Sequence, residues 1–454
     1  MTIATVNPTT GRTEATFEAL DDAAVEARVS AAAEASRRWR TSSFAERARL
    51  MTGAADLLDG EAPTVARLLT TEMGKIYASA KAEVSKCASA MRYFADHAAR
   101  MLADEPVDTK ASDSRVLYRP MGPVLAVMPW NFPMWQVIRF AAPALMAGNV
   151  GLLKHASNVP QTAVYLQDMF HRAGFPPGTF QNLLIGADRV EALIADDRVR
   201  AVTLTGSEGA GRSVAAAAGK ALKKSVLELG GSDPFVVLPS ADLERAVTVG
   251  VEARIQNNGQ SCIAAKRFVV HGDVYDHFLE RFVDTMARLL VGDPMEPATA
   301  LGPLALESAR ADVHQQVSDA RQQGAEVLCG GEPIDGPGWF YPPTVLTGIT
   351  EKMQVHRDEV FGPVAMMYRA TDATDALRIA NDTNFGLGAS VWSTDPDERR
   401  FFAEGLEAGM VFVNAMVAST VELPFGGVKR SGYGRELSAH GIREFCDVKS
   451  LWVS

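Results

Sequence analysis

Val124-Leu125-Ala126-Val127-Met128 is a short apolar run, and Val150-Gly151-Leu152-Leu153-Lys154 is a second one further along the chain. Residues from about 160 to 173 have helical spacing, and strand-like runs follow at 180–185 and 201–204, the last leading into a helix near Glu208. Short apolar strands that alternate with helices predict a parallel sheet covered on both faces. Such sheets bind ligands at the carboxyl ends of their strands.

The same alternation restarts after Gly231, which predicts a second α/β unit. The first 110 residues instead show helical spacing, notably at 21–39 and 44–58, and a weak strand is expected at 112–119. In the second unit the expected strands are 234–238, 267–270, 364–368 and 409–414, and the expected helices are 243–256, 276–290 and 373–381. The predicted fold class is therefore α/β, with helical packing near the N-terminus.

Composition and charge exclude several classes of function. The 454 residues are 47% hydrophobic and 22% charged, as in an ordinary globular protein, and the formal net charge is −10. An acidic chain is not expected to bind nucleic acid or an anionic membrane. No apolar run reaches the ~18 residues that span a bilayer, and no signal peptide is indicated, so we expect a cytoplasmic protein. The cysteines form no CxxC pair and the histidines no HExxH motif, so no metal site is expected.

The stretch Asn257–Ala265 contains a candidate nucleophile, Cys262. Gly259 allows the backbone to approach a ligand closely, and the small neighbours leave room for a substrate. The alternative is that Cys262 is one more small buried hydrophobic residue. Upstream, Glu228 stands between two leucines and before a Gly pair, where desolvation would raise its pKa toward that of a general base. A surface carboxylate is the alternative for Glu228.

Five short motifs carry a resemblance to a known family. They are Pro129-Trp130-Asn131-Phe132-Pro133, Leu227-Glu228-Leu229-Gly230-Gly231, Gly259-Gln260-Ser261-Cys262, Glu359-Val360-Phe361-Gly362-Pro363 and Pro424-Phe425-Gly426-Gly427. With these motifs the sequence resembles the NAD(P)-dependent aldehyde dehydrogenase superfamily over nearly its whole length, and within it most closely the succinate-semialdehyde dehydrogenases. An aldehyde-dehydrogenase-like α/β fold is therefore expected.

The resemblance also implies a domain organisation. A Rossmann-type cofactor-binding domain would occupy residues 1–230, and an α/β catalytic domain residues 231–424. Residues 425–454 would return to the cofactor domain and end in an oligomerisation strand, with 112–119 as part of the same small oligomerisation element. A terminal strand is often paired with a neighbouring sheet, so a homodimer or homotetramer is expected.

The chemistry that the resemblance implies is oxidation of an aldehyde to a carboxylic acid. Cys262 as thiolate would attack the aldehyde carbon, and its backbone N–H and the side-chain amide of Asn131 would stabilise the oxyanion. After hydride transfer, Glu228 would activate the water that hydrolyses the thioester. Considered without the motif, Asn131 could equally be a turn residue that follows Trp130.

The cofactor site is expected at the carboxyl end of the first sheet. The resemblance places the following residues at the cofactor: Trp130, Asn131, Lys154, Ser157, Gly206, Ser207, Leu229, Glu359 and Phe361. The run Gly206–Gly211 is glycine-rich at a helix start but is not GxGxxG, and Lys154 has the alternative of a solvated strand-end lysine. NAD-preferring relatives often carry Glu where this chain has Ser157, and a carboxylate there would repel a 2′-phosphate. NADP is therefore the expected cofactor, with NAD as the alternative.

Arg139, Trp135 and Ser419 are the expected substrate residues. Arg139 lies in a mainly apolar stretch, and a buried Arg needs an anion, which a substrate carboxylate would supply. The alternative is an ion pair with an internal Asp or Glu. Some relatives carry a second Arg six residues before the nucleophile, where this chain has Gln256. We assign no role to His155, which stands where Pro is usual.

The favoured function is oxidation of the small-molecule aldehyde succinate semialdehyde to succinate with NADP+. The open alternatives are a dehydrogenase of broader aliphatic or other ω-carboxy aldehydes, an enzyme that passes the thioester to coenzyme A, and a non-catalytic binding protein on the same fold. Glu228 as a water-activating base argues against the coenzyme A alternative.

Overall fold

The N-terminal part of the chain is a hairpin followed by a layer of helices. The computed structural model describes residues 3–454. Helices are confirmed where the spacing predicted them at 21–39 and 44–58, and each begins at a residue whose side chain accepts a backbone N–H bond, Asp21 and Ser43. The elements are β1 (Ile3–Asn7), β2 (Arg12–Phe17), α1 (Asp22–Trp39), α2 (Phe44–Gly60), α3 (Ala62–Met73), α4 (Tyr77–Met101), β3 (Glu105–Pro106) and β4 (Asp113–Pro120).

The predicted alternation of strands and helices then builds the first parallel sheet. Its spatial order is β9-β8-β5-β6-β7, all parallel. Strand β9 was not expected, because its first residues, Lys224 and Ser225, are polar. The elements are β5 (Pro123–Met128), α5 (Trp135–Met146), β6 (Val150–His155), α6 (Pro160–Arg172), β7 (Phe180–Asn182), α7 (Val190–Ala195), β8 (Ala201–Thr205), α8 (Glu208–Lys220) and β9 (Lys224–Glu228).

A second sheet of seven strands follows, in the order β12-β13-β14-β11-β10-β15-β16. All of its pairings are parallel except that between β12 and β13. Apolar clusters cover both of its faces, which is the usual environment of a parallel sheet. The elements are β10 (Asp233–Val237), α9 (Leu243–Ile255), β11 (Ala265–His271), α10 (Gly272–Ala287), α11 (Glu307–Gln322), β12 (Glu326–Cys329), β13 (Thr344–Thr347), α12 (Gln354–Arg357), β14 (Val364–Ala370), α13 (Ala373–Asn381), β15 (Gly388–Trp392), α14 (Pro396–Gly405) and β16 (Met410–Val413).

The last residues return to the first half of the chain. Strand β17 (Gly432–Tyr433) pairs antiparallel with β9, and helix α15 (Ser438–Glu444) leads into β18 (Cys446–Val453). Strand β18 pairs antiparallel with β4 along its full length, and β3 lies on the other side of β4. These three strands form a small separate sheet.

The two large sheets meet end to end. The segments that follow β5, β8 and β9 leave the carboxyl ends of the first sheet, whereas the segments that precede β11 and β14 enter the amino ends of the second. Residues from both sets line one cleft, including Trp130, Gly206 and Leu229 from the first and Cys262 and Glu359 from the second. This arrangement puts the predicted nucleophile opposite the ligand-binding edge of the first sheet.

Candidate active site

The loop that carries Cys262 has an unusual backbone. Asn257, Asn258 and Gly259 have φ angles of 56°, 58° and 77°, and for non-glycine residues this left-handed region costs about 1–2 kcal/mol each. The Asn257 side-chain amide donates to the backbone carbonyl of Asn131 at 2.7 Å, and that of Asn258 donates to two other buried carbonyls. These hydrogen bonds offset the strain and fix the loop relative to Asn131.

Cys262 lies between two cavities. It lines a larger one of about 630 Å³ and a smaller one of about 260 Å³. Burial raises the pKa of its thiol to about 12, although Arg139 and Lys266 oppose the shift. The resting group is therefore a neutral thiol, and it must lose a proton before it can attack as the thiolate expected from the sequence.

Glu228 ends strand β9 and is almost wholly buried. Burial raises the pKa of its carboxyl well above the ordinary value, and the neighbouring carboxyl of Glu436 raises it further, against Arg139. Within residues 3–454, neither Glu228 side-chain oxygen has a hydrogen-bond partner. Its neighbour Leu229 lines the larger cavity. An unpartnered carboxyl next to a residue that lines the cleft can bind a water, and it acts as a general base once it has lost its own proton.

The segment from Pro129 to Pro133 is held by His155. The His155 Nδ1 accepts the backbone N–H of Ala156 at 2.9 Å, so Nε2 carries the proton and donates to the carbonyl of Pro133 at 2.9 Å. Burial lowers the pKa of this imidazole to about 4, which keeps it neutral. His155, to which the sequence assigned no role, thus positions the segment that contains Asn131.

Asn131 itself faces the larger cavity. Its side-chain amide donates one hydrogen bond to the carbonyl of Gln260 at 3.1 Å, and its own carbonyl accepts the bond from Asn257. One amide hydrogen remains for a ligand. Asn131 is therefore fixed to the nucleophile loop from two directions while keeping a donor free.

The larger cavity contains most of the residues expected at the cofactor. Seven of the nine line it: Trp130, Asn131, Gly206, Ser207, Leu229, Glu359 and Phe361. The Ser207 hydroxyl caps helix α8 by accepting the N–H of Ala210 at 3.3 Å. Because Gly206 and Ser207 line the cavity, the start of this helix faces it and suits a phosphate. At Gly230 a Cβ would lie 2.2 Å from the Glu359 carboxylate, so only glycine allows the cleft wall to close this tightly. The residues present fit a dinucleotide.

Lys154 and Ser157 lie apart from this cavity, at the end of β6. Lys154 is buried, which lowers the pKa of its ammonium, and across residues 3–454 no carboxylate forms an ion pair with it. Ser157 is partly exposed, and its carbonyl accepts the N–H of Ala4 at 3.1 Å, which ties this loop to β1. Their contact with a cofactor stays a prediction.

The smaller cavity lies on the other side of Cys262 and contains all three expected substrate residues. The Trp135 indole N–H donates to the Ser419 hydroxyl at 3.1 Å. Arg139, however, forms an ion pair with the buried Glu436, donates to the Thr205 hydroxyl at 3.2 Å and lies over Phe425. The anion required by Arg139 is thus the internal carboxylate that the sequence left open as an alternative. Its contact with a substrate stays a prediction.

Comparison with known proteins agrees with this geometry. The model of the aldehyde dehydrogenase family matches residues 1–451. The chain belongs to the aldehyde dehydrogenase family. It is 58% identical to the succinate-semialdehyde dehydrogenase [NADP(+)] 1 of Mycobacterium ulcerans, with 100% of both chains covered. Among solved structures, it superposes on Gox0499 with a TM-score of 0.99 at 41% identity and 100% coverage of both chains. The succinic semialdehyde dehydrogenase of Streptococcus pyogenes, solved with NADP+, gives 0.97 at 38% identity and 99% coverage of both.

The structure of this aldehyde dehydrogenase also reveals site residues that the sequence did not. Helix α11 and the residue before it, Leu306, line the larger cavity, with Ala309 and Val313 contributed by the helix. The buried positions of α11 at 313, 317 and 320 have a helical spacing that was available in the sequence. Lys86 of α4 faces the smaller cavity and hydrogen-bonds Ser419. No local motif marks Lys86, because its partner lies more than three hundred residues away.

Two further properties concern the described part of this aldehyde dehydrogenase, residues 3–454. None of its helices combines the length and apolar character needed to cross a bilayer. Nor do His, Cys, Asp and Glu side chains gather there in groups of three or more that could hold a metal ion.

Proposed function

We propose that this aldehyde dehydrogenase oxidises succinate semialdehyde to succinate with NADP+. The observation that carries the proposal is that Cys262 separates two cavities of different character. One has the fixed amide of Asn131 and the start of helix α8, and the other has a lysine, a serine hydroxyl and an indole N–H. The relatives named for this activity support the same conclusion.

The protein groups divide the chemistry between them. The Cys262 thiol gives its proton to water in the cleft and its sulfur bonds to the aldehyde carbon. The carbonyl oxygen becomes an oxyanion, which the free N–H of Asn131 and the Cys262 backbone N–H stabilise. NADP+, when bound, supplies the hydride acceptor. Glu228 in its ionised form takes a proton from the water that cleaves the thioester, and its raised pKa makes that carboxylate a stronger base.

Ser157 supports the choice of NADP+ over NAD+. A hydroxyl two residues after the end of β6, and three residues after the buried cation Lys154 in sequence, can hydrogen-bond to a 2′-phosphate, whereas a Glu there would repel it. The Mycobacterium ulcerans relative is named for NADP(+) and the Streptococcus pyogenes enzyme was solved with NADP+, which favours the same cofactor here.

The small three-stranded sheet supports a homo-oligomer, a dimer or tetramer. Strand β18 is paired with β4 on one side, and it exposes Val448 at 68% and Trp452 at 59%. Apolar side chains on an exposed strand favour association with a second copy.

We place this assembly in the cytoplasm, which agrees with four unpaired cysteines in the described chain. The division at 230/231 and 424/425 also remains our proposal for the domains.

Absorbance of NADPH tests the activity. The purified enzyme should reduce NADP+ on addition of succinate semialdehyde without coenzyme A, and Cys262→Ala should abolish turnover while leaving the fold intact. Strict dependence on coenzyme A, or turnover that survives in Cys262→Ala, would refute the proposed chemistry.

A further inference from the structure

The smaller cavity contains one charged group whose charge is not balanced by the protein. Three charged side chains line it: Glu83, Lys86 and Arg139. Glu83 is paired with Lys75 and accepts the backbone N–H groups of Met134 and Trp135, and Arg139 is paired with Glu436. Among the described residues, no carboxylate forms an ion pair with Lys86. This leaves one cation without a counter-charge in a cavity that reaches the nucleophile.

Lys86 is nevertheless held in one place. Its ammonium donates to the Ser419 hydroxyl at 2.6 Å and lies 4.2 Å from the centre of the Trp135 ring. A cation–π contact of this length is favourable but does not neutralise the charge. Burial lowers the pKa of the group to about 8, with Arg139 acting in the same direction and Cys87 and Glu83 opposing the shift.

The hydrogen bonds around Ser419 indicate what the cavity is built to bind. The Ser419 oxygen accepts bonds from both Lys86 and the Trp135 indole, so both of its lone pairs are used. Its own hydroxyl hydrogen is therefore available to donate, as are two of the three ammonium hydrogens of Lys86. Converging donors with a net positive charge suit a carboxylate.

We propose that Lys86 binds the distal carboxylate of the substrate, with the Ser419 hydroxyl as the second donor. This inference rests on the proposed function, since it assumes an ω-carboxy aldehyde whose other end reacts with Cys262. The cavity of about 260 Å³ is smaller than the ~300–1,000 Å³ typical of drug-sized ligands and suits a short aliphatic chain. Lys86 then sets specificity by charge, while Arg139 serves the internal network.

The test compares kcat/KM for succinate semialdehyde and for pentanal, an uncharged aldehyde, in Lys86→Met and in the unmutated enzyme. Loss of a hydrogen bond to a charged group corresponds to a drop of about 10- to 150-fold. We expect a drop of that size for succinate semialdehyde, mainly through KM, and less than about threefold for pentanal. Lys81→Met, at an exposed position of the same helix, is the matched control and should change neither.

Succinate as an inhibitor against pentanal provides a second readout that does not need turnover of the charged substrate. Its inhibition constant should rise in Lys86→Met and in Lys86→Gln, and stay near the unmutated value in Lys86→Arg. Both Lys86→Met and Lys86→Gln are measured, so that the test can still be made with one variant if the other fails to fold. Parallel losses on both aldehydes, or unchanged inhibition by succinate, would overturn the role of Lys86. If the unmutated enzyme prefers pentanal, the proposed function fails instead, whatever the variants do.

Discussion

Replacement of Arg139 by Met should lower the free energy of unfolding, and this loss should become larger as the pH rises. The side chains of Arg139 and Glu436 are 2% and 3% exposed, and the carboxyl of Glu228 lies near enough for its pKa to respond to Glu436. Removal of one partner from a buried ion pair costs about 3–5 kcal/mol, because the remaining charge is left buried and unpaired. Glu436 can avoid part of this cost only by binding a proton.

The sign of the pH dependence follows from proton uptake. Burial already raises the pKa of Glu436 in the folded protein, with Arg139 opposing the shift, so the pKa rises further without Arg139. The folded variant then binds more protons than the unfolded chain at every pH between about 4.3, the ordinary value of Glu, and the folded pKa. Within that window its stability falls by about 1.4 kcal/mol for each pH unit. The difference in free energy of unfolding between the unmutated protein and the variant is therefore expected to be smaller at pH 5.5 than at pH 8.

Urea unfolding, followed by fluorescence at these two pH values, measures this difference in free energy of unfolding. The double variant Arg139→Met/Glu436→Gln removes both charges and should recover most of the loss at pH 8. In activity assays, Arg139→Met should lower kcat/KM for succinate semialdehyde and pentanal in parallel. An equal deficit at both pH values with no recovery in the double variant would refute the ion-pair reasoning. A selective rise in KM for succinate semialdehyde would instead support the substrate contact predicted from the sequence.

Three other predictions test the remaining parts of the site and the assembly. Glu228→Gln should release about one NADPH per active site in a rapid burst and then turn over slowly, because the thioester forms but is not hydrolysed; steady turnover at the unmutated rate would contradict this. Ser157→Glu should reverse the cofactor preference through repulsion of the 2′-phosphate, and equal kcat/KM for NADP+ and NAD+ in the unmutated enzyme would count against the assignment. Trp452→Lys should reduce the size measured by light scattering, and an unchanged mass would exclude this strand face from the interface.

Much of the fold could be predicted from the sequence because its central strands are short and apolar. The runs at 124–128, 150–154 and 201–204 are buried on both sides of a parallel sheet, which leaves a signal that survives without any alignment. Strand β9 was missed because its first residues, Lys224 and Ser225, are polar and not buried, and α11 was missed because its buried face is narrow. Local patterns therefore predict wholly buried apolar strands better than elements that have polar residues or a narrow buried face.

The chemistry of the site was predictable to a different extent on its two sides. Short motifs hold the residues of the larger cavity, such as Trp130, Glu359 and Phe361, so they could be identified before the fold was known. On the substrate side, the rule that a buried Arg needs an anion was correct, but nothing local indicated that Glu436 supplies it. The partners of charged groups there are distant in sequence, and their pairing becomes visible only in three dimensions.

With Lys86 in the role proposed above, this pairing also explains how the chain selects a carboxylate without the second arginine found in some relatives. Gln256 lines the smaller cavity at that position and carries no charge. Arg139 contributes little net charge to the cavity, because the carboxylate of Glu436 balances it. The positive charge comes from Lys86 on helix α4, where Ser419 and Trp135 hold it. Selection by charge thus requires only one cation in the substrate cavity that is not paired with a carboxylate of the protein. The helix or loop that supplies this cation can differ between members of one family.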